Sequence, residues 1–126
     1  MTIVEAGEVK KMTDYERLIR YFGVEKIEPI LHRFKNPHRV IRRKIIFAHR
    51  DFDKILDIVD SGGTFAVLSG RGPSNRLHIG HLLVYELNLY LQREYGAPVF
   101  IPLSDDEKYV FRKVKNLEEA KYYALD

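Results

Sequence analysis

The chain has 126 residues, of which 45% are apolar and 31% are charged, and its formal net charge is +3. This composition is typical of one soluble globular domain, and the net charge is too small to indicate a nucleic-acid partner by itself. Cysteine is absent, which excludes disulfides, thiolate zinc sites and thiol catalysis and favours a cytoplasmic location. No apolar run approaches the roughly 20 residues that cross a bilayer, so the sequence predicts no membrane association.

Residues 1–62 are predicted to form a mainly helical segment. Its helix signals are N-cap residues, prolines suited to a first helical turn, and glycines that end a helix in the left-handed conformation. These signals are Thr13 with Glu16, Gly23, Pro29, Pro37, Asp51 and Gly62.

Basic residues are concentrated within this segment, between residues 33 and 50. A solvated helical face is the simpler interpretation. The functional interpretation is a patch that faces the phosphates of RNA or of a nucleotide. The residues are Arg33, Lys35, His38, Arg39, Arg42, Arg43, Lys44, His49 and Arg50.

Residues 63–126 predict a strand–helix–strand unit. Two apolar runs without alternation, 65–68 and 99–101, are typical of strands that are buried on both faces. Between them, 82–95 is typical of a helix that is buried on most sides, ending at Gly96. Short links of this kind imply a parallel crossover, and ligands of such sheets bind beyond the carboxyl ends of the strands. Two polar loops, residues 69–76 and 104–107, follow the strands at those ends.

The first of these loops is rich in glycine and leads into His78, Gly80 and His81 at a helix start. Backbone amides and the positive end of the helix dipole favour an anion there, and the imidazoles add donors. Gly80 leaves room for a flat base. A metal would need a third ligand beside the two histidines, which the sequence does not offer at metal spacing, so the pattern predicts a nucleotide phosphate site without a protein-held metal.

The second loop, residues 104–107, reads Ser-Asp-Asp-Glu. Ser104 and Glu107 are spaced as a capping box, which is a purely structural role. Carboxylates at the mouth of a pocket also pair with an ammonium group, so Asp105 and Glu107 are candidates for binding one.

Four segments carry a resemblance to a known family. The sequence GRGPS at 70–74, HIGH at 78–81, DDEKY at 105–109 and FAHRD at 47–51 resembles the N-terminal part of the catalytic domain of archaeal and eukaryotic tryptophanyl-tRNA synthetases. The resemblance implies an α/β fold, specifically the first half of a class I synthetase Rossmann-like (HUP-type) nucleotide-binding domain with an N-terminal helical segment. It also implies formation of an aminoacyl-adenylate from ATP and an amino acid.

The resemblance implies roles for individual residues. His78 and His81 would be catalytic, polarising the phosphates of ATP, which arrives with Mg²⁺ as a substrate. The nucleotide would be bound by Gly70, Arg71, Gly72, His78, Gly80 and His81, and the amino acid by Leu68, Pro102 and Glu107. In this family a tyrosine and a glutamine near the positions of Leu68 and Pro102 hydrogen-bond the indole nitrogen. Neither side chain here can do so, which leaves the bound amino acid open.

The family also uses a lysine-rich KMSKS loop that has no counterpart in residues 1–126. We therefore expect a truncated or divergent relative that does not complete aminoacylation alone, with the open sheet edge covered by a second copy or another protein. One alternative is a non-catalytic module that binds tRNA or a synthetase partner through residues 39–50. Another is a small nucleotidyltransferase, which shares the His-x-Gly-His turn, although the Phe-x-Pro spacing before that turn is lacking.

Overall fold

The computed structural model describes residues 15–125, so the predicted cap at Thr13 lies outside the described residues. The chain divides into two compact units, Met1–Asp60 and Ser61–Asp126. Within the described part, no helix combines the length and apolarity that crossing a membrane requires.

The first unit alternates short helices with one antiparallel strand pair. Helix α1 spans Tyr15–Phe22, strand β1 Glu25–Lys26, a 3-10 helix Glu28–Arg33, α2 Arg39–Arg42, β2 Ala48–His49 and α3 Phe52–Asp60. The two strands pair with Glu25 opposite His49, and the helical prediction did not include them. Gly23 follows α1 at φ +59°, as predicted, and Pro29 occupies the first turn of the 3-10 helix.

Aromatic and branched residues form the core of the first unit. Phe34 stacks on Phe52 with ring centroids 5.3 Å apart. The buried apolar side chains are Ile27, Ile30, Phe34, Val40, Ile41 and Leu56. Asp51 does not cap α3 with its side chain as predicted: its φ of +56° departs from the extended backbone of an N-cap residue, and its carboxylate pairs with Lys54. The Phe52 amide at the helix start instead donates to His49 Nδ1 at 3.3 Å.

The second unit contains the predicted strand–helix–strand. Strand β3 spans Val67–Leu68, helix α4 Ile79–Tyr95, β4 Val99–Phe100, α5 Asp105–Val110 and α6 Leu117–Leu125. Strands β3 and β4 are parallel, with Val67 opposite Val99 and Leu68 opposite Phe100. The predicted parallel pairing is thus confirmed, and α4 ends at Gly96 in the left-handed conformation.

The strands are not buried on both faces, which corrects the prediction. Leu68 is 77% exposed and Phe100 58% exposed, whereas Val67 and Val99 are half-buried. Side chains alternate along a strand, so the paired residues Leu68 and Phe100 share one face. Apolar runs indicate burial only when both faces of the sheet are covered, and within residues 15–125 this face is open.

Helix α4 is likewise less buried than its sequence suggested. Leu82, Val84 and Leu89 are exposed, whereas Tyr90 and Leu91 are buried. One side of α4 is therefore buried, and several of its apolar residues lie on the exposed side.

Candidate functional site

The two polar loops at the carboxyl ends of β3 and β4 lie side by side. The amide of Ser69 donates to Phe100 O and the amide of Arg71 to Pro102 O, each at 2.9 Å. The amide of Ser104 returns a bond to Arg71 O at 3.0 Å. The parallel ladder therefore continues past the strands and holds both loops at one edge of the sheet.

Arg71 is buried, with 7% of its surface exposed. Its Nη2 donates to the carbonyl of Asn75 at 3.2 Å, which ties the glycine-rich loop to itself. The buried Nε has no hydrogen-bond partner among the described residues. A buried guanidinium with an unused donor favours a nearby anion, because desolvated charges are stable only when paired.

Lys108, which the sequence analysis did not single out, lies across Gly72. A Cβ placed on Gly72 would overlap Cε of Lys108 and come within 2.7 Å of its Nζ. The ammonium group is 3.6 Å from Glu107 Oε1. The sequence alone does not show that Lys108 faces Gly72. The two residues come together through the hydrogen bonds between the two loops.

The capping box predicted for Ser104 and Glu107 does not form. Ser104 occupies the N-cap position of α5 but makes no side-chain cap bond, and its Oγ donates to Arg71 O at 3.4 Å. The Glu107 amide donates to Asp106 Oδ1 at 2.7 Å. Because Ser104 is bound to the neighbouring loop, the Glu107 carboxylate is not held by a cap and lies half-exposed beside Lys108.

His78 and His81 cap the start of α4 reciprocally. His78 Nδ1 accepts from the Gly80 amide and His81 Nδ1 accepts from the His78 amide, each at 3.2 Å. The ring centroids are 4.0 Å apart. The expectation that free backbone amides bind the anion here is therefore modified, because the imidazoles already accept from two of these amides.

This capping fixes which ring nitrogen carries the proton. A neutral imidazole that accepts at Nδ1 carries its hydrogen on Nε2, so both rings retain an Nε2–H donor. Neither Nε2 has a partner among residues 15–125. Gly80 favours this packing, since a Cβ there would lie 3.0 Å from Cε1 and Nδ1 of the His78 ring, which would have to shift by a few tenths of an ångström.

A groove of about 410 Å³ runs beside the two histidines. Its other walls are apolar: Leu77, Ile79, Leu82 and Tyr85. An apolar groove that ends on two donors is suited to a flat ring carrying an anionic group.

The structure thus brings the implied site residues into two groups. The first group lies where the two loops meet and consists of Gly70, Arg71, Gly72, Pro102 and Glu107. The second group is the two histidines, which contact each other and the amides at the start of α4. Leu68 is on the exposed face of β3, and Pro102 lies 3.9 Å from the position of a Cβ on Gly70. Within residues 15–125, no three His, Asp or Glu side chains are placed to hold a metal.

Comparison with known proteins finds similarity to tryptophan–tRNA ligases. The cytoplasmic tryptophan–tRNA ligase of Schizosaccharomyces pombe is 42% identical over 132 residues, covering 99% of this chain and 33% of the relative. The tryptophan–tRNA ligase of Pyrococcus abyssi is 34% identical over 98% of this chain and 34% of the relative. This chain is homologous to part of tryptophan–tRNA ligase. No protein-family model matches it.

Solved structures agree with this homology to tryptophan–tRNA ligase. Plasmodium falciparum tryptophanyl-tRNA synthetase matches with a TM-score of 0.83 and 38% identity, over 89% of this chain and 33% of that one. The Encephalitozoon cuniculi enzyme, solved bound to tryptophan, matches with a TM-score of 0.80 and 36% identity, over 87% and 34% of the two chains. The resemblance and the α/β class are confirmed, and the chain spans about one third of the relatives it matches.

Proposed function

We propose that this chain forms the ATP-binding part of a tryptophan–tRNA ligase site, where an amino acid and ATP react to give an aminoacyl-adenylate. The observation that carries the proposal is the reciprocal cap at the start of α4. It holds two Nε2–H donors side by side, next to an apolar groove. We infer that the groove takes the adenine ring and that the donors bind phosphate oxygens.

The imidazoles would act on the charge that develops during adenylate formation. The amino acid carboxylate attacks the α-phosphorus of ATP, the bond to the bridging oxygen breaks, and pyrophosphate leaves. Negative charge grows on the phosphate oxygens in this step, and fixed donors stabilise it most when they need no reorganisation. Lys108 and the buried Arg71 add positive charge at the neighbouring loop edge. ATP would bring Mg²⁺ with it.

The amino acid would bind where the two loops meet. Glu107 is the candidate partner of its α-ammonium group, and Leu68 with Pro102 would provide an apolar wall. The names of the relatives make tryptophan the first amino acid to test. Because neither Leu68 nor Pro102 offers a side-chain hydrogen bond, we expect weaker discrimination of tryptophan from other large apolar amino acids.

Completion of aminoacylation would need parts of the synthetase that are not in residues 1–126, because a KMSKS-type loop is absent from this sequence. We propose that the chain works with such parts, with tRNA as the acceptor and the cytoplasm as its location. The names of the S. pombe and Saccharomyces cerevisiae relatives include that location. A second copy of the chain is the remaining candidate partner.

Calorimetric titration with ATP tests the nucleotide part. We expect His78→Asn to weaken binding, since asparagine preserves the helix cap but removes the imidazole donor. His32→Asn is a matched control, because His32 is an exposed histidine of the first unit. ATP–pyrophosphate exchange with each amino acid, with and without a full-length synthetase, then identifies the amino acid. Absence of ATP binding by the intact chain contradicts the proposal.

A second candidate function, tRNA binding without catalysis, is favoured by two arginines. Arg42 and Arg43 are exposed and have no side-chain partner among the described residues. By contrast, Arg33 is paired with Asp57 and Asp60. A salt-dependent gel shift with tRNA that is lost in Arg42→Gln/Arg43→Gln supports this function.

The matched control for that gel shift is Arg17→Gln/Arg20→Gln, which removes two exposed arginines of α1. The absence of a shift at low salt, or equal loss in both double variants, argues against specific use of Arg42 and Arg43. The nucleotidyltransferase alternative gains no support from the relatives named above, which are tryptophan–tRNA ligases.

A further inference from the structure

A second groove, of about 730 Å³, lies in the second unit where α5 is followed by α6. We call it the loop groove. Its walls include one aromatic ring, three cations and one carboxylate, which belong to Tyr109, Arg112, Lys113, Lys115 and Glu119. It shares no lining residue with the groove beside the two histidines. Small-molecule ligands occupy cavities of this size, so the loop groove is large enough for a nucleotide.

The three cations of the loop groove have no partner within residues 15–125. Arg112, Lys113 and Lys115 are exposed, and their side chains make no hydrogen bond or ion pair in that part of the chain. The one carboxylate is already used, because Glu119 Oε2 accepts from the Lys115 amide at 2.6 Å. The walls therefore keep an excess of positive charge, which favours an anionic ligand.

The backbone turn that presents Arg112 is strained. The Arg112 amide donates to Tyr109 O at 3.0 Å and the Lys113 amide to Lys108 O at 2.9 Å, which is the pattern of a Schellman turn. Arg112 occupies the position that glycine usually takes in this turn, with φ at +52°. Backbone strain of this kind is concentrated at functional sites. A cation that is retained at a strained position is therefore a second, independent indication of a ligand.

The rest of the loop is anchored on the protein. Val114, between the two lysines, is buried, while Lys113 and Lys115 on either side of it stay exposed. At the start of α6, Asn116 Oδ1 accepts from the Glu119 amide at 2.8 Å. The positions of the cations are thus set by the fold before any ligand binds, which lowers the entropic cost of binding.

Acidic residues on both sides of the loop limit the shape of the anion. Asp105 and Asp106 lie in the first turn of α5 and Glu118 in the first turn of α6, and all three are exposed. An extended polyanion, such as RNA or an anionic membrane surface, would also approach these carboxylates and be repelled. A compact polyphosphate needs to contact only the loop. The half-exposed ring of Tyr109 adds a flat surface on which a base can stack.

We propose that the loop groove binds a nucleoside polyphosphate, with its phosphates held by Arg112, Lys113 and Lys115 and its base against Tyr109. This inference goes beyond the proposed function, because the loop groove contains neither histidine and takes no part in adenylate formation. The chain would then bind nucleotide at two separate places.

The experiment titrates the full chain 1–126 with ATP and follows each backbone amide by NMR spectroscopy. We expect the amides of Lys113 and Lys115 to shift in the wild type. They should shift at the same ATP concentrations in His78→Asn, because the loop groove does not include that histidine. Since the two grooves are monitored through different amides, the proposed function and this inference can fail independently.

Variants test the roles of the cations. Lys113→Gln/Lys115→Gln should weaken ATP binding at the loop groove about tenfold at low salt, because two charge contacts are lost. Arg112→Gly should weaken it several-fold and yet raise Tm, because glycine relieves the strain; weaker binding by a more stable variant cannot result from unfolding. Lys121→Gln is the matched control, since Lys121 is an exposed lysine of α6 that does not line the groove.

Several results would overturn the inference. One is a set of ATP-induced shifts that is confined to the residues around His78. Another is equal weakening of ATP binding by Lys121→Gln and by the double lysine variant. Pyrophosphate that binds as tightly as ATP would exclude a contact with the base, and a single-stranded RNA oligonucleotide that binds more tightly than ATP would exclude a site for a compact anion.

Discussion

Two substitutions at His78 separate helix capping from anion binding. His78→Ala removes both the Nδ1 acceptor and the Nε2–H donor, whereas His78→Asn keeps an acceptor at a position where asparagine is a preferred N-cap. The wild-type cap consists of the bond from the Gly80 amide to His78 Nδ1 at 3.2 Å. The bond from the His78 amide to His81 survives in both variants.

The magnitudes follow from these bonds. Loss of an N-cap costs about 1 kcal/mol, which for a chain of this size lowers Tm by roughly 3–5 °C. His78→Ala should show this loss and His78→Asn little of it. Loss of one hydrogen bond to a charged oxygen costs about 1.5–3 kcal/mol, which corresponds to roughly 10- to 150-fold weaker ATP binding. Both variants should show the loss of affinity.

Differential scanning calorimetry and titration with ATP measure the two effects on the same samples. The reasoning is refuted if His78→Asn binds ATP as tightly as the wild type, because the Nε2–H donor would then be unused. It is also refuted if His78→Ala has the same Tm as the wild type, because the cap would then contribute nothing to stability.

Three further predictions concern stability. Gly96→Ala should lower the free energy of unfolding by about 1 kcal/mol, because φ at Gly96 is +66°. No atom lies within 4 Å of the added Cβ, so the cost comes from backbone strain and not from a steric clash. An unchanged free energy in urea unfolding contradicts this prediction. Burial raises the pKa of Tyr90, so the hydroxyl stays protonated in the native state. Unfolding should become easier as the pH rises above about 10, where an unfolded tyrosine ionises. Tyr90→Phe should reduce that alkaline loss, and an unchanged profile argues against the buried hydroxyl as its cause. The hydrogen bond from Lys54 lowers the pKa of Asp51, so its contribution to stability is present above pH 3.8 and disappears as the pH falls through the lower native pKa. Lys54→Met should flatten this acid limb in urea titrations from pH 5 to pH 2, and an equally steep limb contradicts the assignment.

Local signals in the sequence predicted local structure well. Gly23 and Gly96 end their helices with positive φ, because few other residues adopt the left-handed conformation without strain. Pro29 occupies the first turn of the 3-10 helix, where its missing amide is not needed. The parallel pairing of β3 and β4 followed from two apolar runs joined through one helix, which leaves few other arrangements.

Signals that depend on distant residues were interpreted wrongly or not at all. Ser104 and Glu107 have the spacing of a capping box, but the Ser104 hydroxyl donates instead to the carbonyl of Arg71, which the sheet brings close. Leu68 and Phe100 have the composition of a buried strand, yet burial requires a covering layer that residues 15–125 do not contain. Lys108 was overlooked because its relation to Gly72 exists only once the two loops are aligned.

The start of α4 shows why His-x-Gly-His works as a unit. The N-cap imidazole of His78 and the imidazole of His81 each use Nδ1 for the helix, which determines that both Nε2 atoms carry hydrogen. Gly80 allows the His78 ring to lie against the backbone, where a Cβ would come within 3.0 Å. The Nε2–H donors are therefore oriented by the same bonds that begin the helix, so they need no reorganisation when a ligand binds. Gly80→Ala should accordingly disturb both functions together: it should lower Tm and weaken ATP binding, whereas His78→Asn should change binding alone.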